Sequence, residues 1–216
     1  MKKLVIYGTG LIAEVADFYF TQDTDYEVEA FLNASDFIEG DSFQSRPLVP
    51  FENAQQRYPP AEYDIFIALG YTMTNQVRQA RYTEAKQKGY TCATYVSPNA
   101  TYYGTPVGDN CFILENNVIQ PFTKIGNNVT LWSGNHIGHH STIKDHCFIS
   151  SHVVISGNVV ISENCFFGVN STLRDNIEIG RFTVVSSGAI VMRSCEERSL
   201  VLPAQSTYRV VDKDVI

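Results

Sequence analysis

Large apolar residues recur at every sixth position over a long stretch of the chain: Val107, Ile113, Ile119, Ile125, Leu131, Ile137, Ile143, Ile149, Ile155, Ile161, Phe167, Leu173, Ile179, Val185 and Val191. A helix repeats its apolar face every 3.6 residues and a half-buried strand every 2, so neither predicts this spacing. A short strand followed by a turn in each hexapeptide does, and the spacing predicts a parallel β-helix. Four residues after most anchors stands a small or branched residue, such as Cys111, Thr123, Val129, Ser141, Cys147 or Cys165. Three after the anchor the chain is rich in Asn: Asn110, Asn116, Asn128, Asn158, Asn164, Asn170 and Asn176, with Gly134 and Gly188. Asn and Gly tolerate the left-handed backbone, so this column predicts tight corners.

Ahead of the repeats the pattern changes. Residues 3–7 form an apolar run suited to a buried parallel strand. The run meets Gly8-Thr9-Gly10-Leu11-Ile12-Ala13, and helical spacing follows over 14–21. Strand, glycine turn and helix open a Rossmann-like unit, whose backbone amides can approach a phosphate. Residues 26–32 and 63–69 read as further strands, 46–50 as an edge strand or loop, and 51–57 as a possible helix stopped by Pro59-Pro60. Asn75 is expected to cap a helix running to Lys88, with Gly89 as its stop, and 91–96 to form a fourth strand. Asn33 follows the second strand where a dinucleotide site carries an acid for the ribose, which argues against a redox role. Ser97-Pro98-Asn99-Ala100 hands the chain to the repeats.

Composition narrows the function classes. The 216 residues leave roughly a hundred in front of the repeats, enough for an independent core. A net charge of −7 with no basic cluster excludes electrostatic nucleic-acid binding. The five cysteines lack metal-site spacing, and Cys111, Cys147 and Cys165 read as core packing. No signal peptide or membrane-length apolar stretch is present, so a cytoplasmic protein with no membrane partner is expected. All five histidines fall between His136 and His152. His140, His146 and His152 occupy corner positions, where solvated side chains are expected.

The Gly8 to Ala13 turn, Ile67-Ala68-Leu69-Gly70, Arg78, the Tyr95 to Ala100 linker and the repeats closely resemble one family. It comprises the sugar O- and N-acyltransferases related to the sialic acid O-acetyltransferase and the bacillosamine N-acetyltransferase. The resemblance covers nearly the whole chain. It implies an α/β Rossmann-like nucleotide-sugar-binding domain over 1–96 and a left-handed parallel β-helix acyltransferase domain with a tail over 97–216. The left hand rests on the resemblance, since parallel crossovers are usually right-handed. Three hexapeptides then make a coil, and residues i and i+18 stack about 4.8 Å apart.

On that geometry His139 lies one coil below Gly157. An imidazole can take a proton near neutral pH, and a bare backbone N–H can steady an oxyanion. The resemblance likewise aligns His139 with the catalytic base and Gly157 with the amide facing the thioester. It implies acetyl transfer from acetyl-CoA to the amino group of a nucleotide-linked amino sugar, with no metal, in a homotrimer whose active sites lie between subunits. Gly8, Gly10 and Asn33 are the implied nucleotide contacts, and His140 and Trp132 acceptor-side residues. Gly157, Ser187, Gly188 and Ala189 are the implied donor contacts. The chain departs from the family where His140 replaces the acid after the base, so orientation of His139 is expected to come from elsewhere. Phe148 replaces a second histidine, and Gln205 replaces a terminal Lys for which Arg193, Arg198 or Arg209 could substitute.

Two rivals belong to other classes. The γ-type carbonic anhydrases share the β-helix but need zinc-binding histidines five and about thirty-six residues apart, and no pair here has either separation. Sugar O-acetylation, or a non-catalytic β-helix that binds a nucleotide-sugar, remains the alternative.

Overall fold

In the computed structural model, which describes residues 2–204, the repeats form a three-sided prism. Face one has seven strands, from Tyr95–Val96 through Phe112–Ile113, Thr130–Leu131, Phe148–Ile149, Phe166–Phe167 and Val184–Val185 to Leu200–Val201. Face two has six, from Thr101–Tyr102 to Ile190–Val191, and face three has four, from Lys124–Ile125 to Glu178–Ile179. Within the repeats the strands pair in parallel at the expected offset: Thr130 with Phe148, His136 with Val154, Thr142 with Val160. The arrangement fits a left-handed β-helix.

The two sequence columns explain the prism. The fourteen anchors from Ile113 to Val191 are at most 4% exposed, and Val107 packs against them. Burial of each such side chain contributes about 1.5–3 kcal/mol. The fourteen residues third after an anchor, from Asn110 to Gly188, all have positive φ. Three histidines, a residue type enriched in this conformation, take it too, and so do Phe122 and Phe182, which are not.

The N-terminal unit is a five-stranded sheet with helices. Its elements are β1 (Lys2–Tyr7), α1 (Leu11–Asp23), β2 (Tyr26–Asn33), β3 (Ser42–Phe43), β4 (Arg46–Pro50), α2 (Ala54–Arg57), β5 (Tyr63–Ile67) and α3 (Gln76–Gln87). The sheet order is β3-β4-β2-β1-β5, parallel except for the β3–β4 hairpin. Gly8 has φ +127°, and a Cβ there would lie 2.7 Å from the Ala68 carbonyl oxygen, so the turn after β1 requires glycine. The helix expected over 51–57 is a 3₁₀ turn, Phe51–Asn53, followed by the single turn of α2. The strand expected over 91–96 divides: Cys92 bridges to Ile65, whereas Tyr95–Val96 pairs with Phe112–Ile113 of the prism. No helix among the described residues is long and apolar enough to cross a membrane.

The two units share a buried polar seam along the edge between faces three and one. Arg78 of α3 is 1% exposed and donates to the carbonyls of Asn128, His146 and Cys147 at 3.0–3.3 Å. Burial pulls its guanidinium down to about 10. Asn75 takes the N-cap position of α3 as expected, but with a left-handed backbone and no side-chain cap bond: its amide donates instead to the Cys165 carbonyl at 3.0 Å. Gly89, with φ +89°, ends the helix as expected. Asn110 accepts the Ile67 N–H at 2.8 Å. His146 is not solvated: it is 8% exposed, beside the Asn128 amide at 3.0 Å.

Two predictions follow from corner and seam. Asn170→Val places a β-branched residue at φ 58° and is expected to lower stability by about 1–2 kcal/mol in chemical denaturation, whereas Asn170→Gly should change it little. Burial holds His146 below the ordinary histidine value of 6.5, so the unfolded chain binds more protons there. Stability from this group is present above pH 6.5 and is lost as pH falls below it. Denaturation midpoints measured across that range should flatten in His146→Asn, which keeps both the left-handed corner and an acceptor for Asn128.

Candidate active site

The edge between faces two and three carries His139 and Gly157, the pair singled out in the sequence. The strand His136–Ile137 leads through Gly138 to His139 and the corner His140, and the next coil brings Ser156, Gly157 and Asn158 above them. Gly138 is small because a Cβ there would lie 2.5–2.6 Å from Ser156 and Gly157 backbone atoms. His139 turns its ring up into the space that Gly157 leaves. A Cβ on Gly157 would stand 2.6 Å from His139 Cε1 and 2.7 Å from Nε2, but 3.2 Å from Nδ1. The Cε1–Nε2 edge therefore faces the place that a side chain on residue 157 would occupy. The Gly157 N–H donates to no backbone carbonyl among the described residues.

Three neighbours hold His139 on its other sides. Its backbone N–H donates to Gln120 Oε1 at 2.9 Å, and its carbonyl accepts the Asn158 N–H at 2.8 Å. Its Nδ1 lies 3.1 Å from Nδ1 of His140, with the two rings at 86°. The residue in the acid's place, His140, is thus the one that stands beside His139 Nδ1. Both imidazoles are exposed to solvent at this edge. His152 repeats the device one edge over, its ring filling the space above Gly134.

The glycine turn builds a second concavity on the N-terminal unit. A cavity of about 310 Å³ is lined by Tyr7, Thr9, Gly10, Asn33, Phe37 and Arg81, among others. Asn33 donates to Thr9 Oγ1 at 2.9 Å, which ties the end of β2 to the turn. Gly10 and Asn33, two of the expected nucleotide contacts, line this cavity. Gly8 does not line it but permits the turn. Phe37, whose ring is exposed, and Arg81, paired with Glu84, were not singled out by sequence. Both follow from the topology, which brings the ends of β2 and β5 together.

The remaining expected residues are distributed over other edges. Ser187, Gly188 and Ala189 turn the edge between faces one and two, in the last full coil. Trp132 leaves face one at that same edge and packs toward Phe112 and Phe148 at ring distances of 6.4 Å. Neither group is brought to His139 within one chain. The N-terminal unit covers face one and the edge between faces three and one, opposite His139. That cavity and the imidazole are therefore apart in a single chain. Gln205 and Arg209 lie outside the described residues.

The geometry predicts that Gly157→Ala displaces the His139 ring without unfolding the coil, because only a side-chain tip must move. The His139 Cε1–H resonance should shift while the melting temperature stays within a few degrees, in contrast to Gly138→Ala, which meets backbone.

The bacterial transferase hexapeptide model (six repeats) matches residues 105–139 and 122–157. No curated protein matches the chain. Among solved structures the chain is similar to a mutant of perosamine N-acetyltransferase from Caulobacter crescentus in complex with CoA and GDP-perosamine. That likeness has a TM-score of 0.81 at 21% identity and covers 93% of each chain. A second is the acetyltransferase domain of PglB from Neisseria gonorrhoeae in complex with acetyl coenzyme A, with a TM-score of 0.82 at 19% identity over 94% of this chain and 99% of that one. A third is WeeI from Acinetobacter baumannii, with a TM-score of 0.73 at 17% identity over 94% of this chain and all of the other. At these identities the likeness establishes the fold. The chain carries bacterial-transferase hexapeptide repeats and has the two-unit fold of these acetyltransferase structures.

Proposed function

We propose that the chain transfers an acetyl group from acetyl-CoA to the amino group of a nucleotide-linked amino sugar. The observation that carries this reading is the His139 ring, its Cε1–Nε2 edge lying in the space that Gly157 leaves without a side chain. His139 Nε2 takes the proton of the acceptor amine as the nitrogen attacks the thioester carbonyl. The Gly157 N–H donates to the oxygen as it becomes negative, and the CoA sulfur departs with the bonding pair. A positioned base contributes about 10²–10⁴-fold, and a single oxyanion donor about 10²–10³-fold. The chemistry runs by direct transfer, with no covalent enzyme intermediate.

Residues 1–96 supply the Rossmann-like nucleotide site in this reading, and 97–216 the left-handed β-helix and the donor groove. The cavity beside Gly10 and Asn33 takes the nucleotide, with Thr9 and the start of α1 near its phosphates. Ser187, Gly188 and Ala189 contact the donor, and Trp132 and His140 the acceptor side. The solved structures with CoA and GDP-perosamine, or with acetyl coenzyme A, support both ligand classes. The separation of the cavity from His139 supports a homotrimer, in which a neighbouring copy brings its own groove or nucleotide site to the edge between faces two and three.

Thiol release from acetyl-CoA, assayed with a panel of nucleotide-linked amino sugars, tests the activity. His139→Ala should lower kcat by about 10²–10⁴-fold with the fold retained, and full turnover in that variant would overturn the assignment. Where the two sites come from different copies, mixing His139→Ala with a variant whose nucleotide cavity is blocked at Gly10 should restore part of the activity. Mixed oligomers that stay dead, from variants shown to exchange subunits, would place both sites in one chain.

A further inference from the structure

We propose that His140 is the positioning residue for His139, acting as a neutral imidazole acceptor in the place of a carboxylate. The inference rests on the proposed role of His139 as base. Two Nδ1 atoms 3.1 Å apart can share only one proton. If His140 carried it, His139 Nδ1 would be the acceptor and Nε2–H would point at the space above Gly157, unable to take a proton. With the proton on His139 Nδ1, its Nε2 is a bare lone pair beside Gly157 and His140 bears its own proton on Nε2. The arrangement that matches a base at Nε2 is therefore the one in which His140 accepts.

The surroundings hold His140 for this task. Its backbone sits at φ 60° in the corner column, which turns the side chain back toward residue 139. Phe122, the corner of the coil below, covers its ring at a centroid distance of 4.7 Å and 39°. The His140 N–H donates to the Pro121 carbonyl at 3.3 Å. Gln120, Pro121 and Phe122 below, and Gly157 and Asn158 above, carry no titratable side chain. The dyad consequently meets no carboxylate from the neighbouring coils. As His139 takes up the acceptor's proton, the His140 lone pair accepts a stronger hydrogen bond but offers no negative charge. A carboxylate in its place would stabilise the imidazolium by charge as well.

This difference makes the role measurable. His140→Ala removes the acceptor, and kcat should fall about 10- to 100-fold, part of what a positioned base contributes, with the KM for acetyl-CoA little changed. His140→Asn keeps the left-handed corner and presents a neutral acceptor oxygen, so it should recover much of that loss. His140→Asp should recover it as well and move the acid limb of kcat/KM to higher pH, because an anion beside His139 favours its charged form. In ¹⁵N spectra the wild-type His139 should show a protonated Nδ1 and a bare Nε2, and His140→Ala a mixture of tautomers. If His139→Ala abolishes turnover but His140→Ala leaves kcat unchanged, the positioning role is overturned while the base survives. A His139→Ala variant with full turnover removes the base itself. An unmoved acid limb in a folded, active His140→Asp variant would also contradict a direct hydrogen bond. Melting temperatures within a few degrees of wild type separate each outcome from misfolding.

Discussion

The prism depends on one backbone constraint: a residue in the left-handed region at the end of every hexapeptide side. Gly and Asn tolerate that conformation, whereas for most other residues it costs roughly 1–2 kcal/mol each. It recurs at fourteen successive corners, so the opposing gain must recur as often. The anchor supplies it, at about 1.5–3 kcal/mol for each buried side chain, with a second inward residue at each corner. Corner and anchor are thus balanced unit by unit, as expected of a repeat structure whose stability is nearly a sum over neighbours. Nothing about the register is then adjustable. Insertion of a single residue would turn every later anchor outward.

Fixed register converts sequence separation into contact. Residues eighteen apart lie face to face, so a glycine in one coil is room for a side chain in the next. Gly157 makes that room for His139, and Gly134 for His152. The three edges nevertheless differ in what they carry. The edge between faces three and one is closed by α3, where buried Arg78 is held by the carbonyls of two corner residues, Asn128 and His146, and of Cys147. A buried guanidinium is tolerable only with such partners, so it ties α3 to particular coils. The cavity between the ends of β2 and β5 is thereby set at a defined place relative to the prism. The edge between faces two and three is left open, and that is the one bearing the paired imidazoles.

The sequence was most legible where one physical demand repeats. Anchors, small inward residues and Asn corners each recur enough to be read without a structure, and so was the glycine turn after β1. Positions that serve two demands at once were misjudged. Asn75 has the residue type of a helix cap, but the prism offered its amide a buried carbonyl. His146 has the place of a solvated corner, but α3 packs on it and leaves it neutral beside Asn128. Phe122 and Phe182 do not belong to the usual corner residues, and only the register of their neighbours identifies them. His139 was found because its partner is a glycine, whose missing side chain is visible in sequence. The contact between His139 and His140 was not, since adjacent residues meet only where a corner folds one side chain back on the other.

That contact bears on how the edge can work. An imidazole exposed to water is a modest base, and a peptide N–H exposed to water is already solvated by it. Both gain strength when water is excluded, because electrostatic interactions grow as the local dielectric falls. Among the described residues nothing covers His139 and His140 at the edge between faces two and three, while the N-terminal unit shields the opposite side. A carboxylate partner would resist desolvation strongly, whereas a neutral His140 under Phe122 does not. The His139–His140 pair is thus suited to an edge that becomes closed to water by an apolar or amide-lined surface.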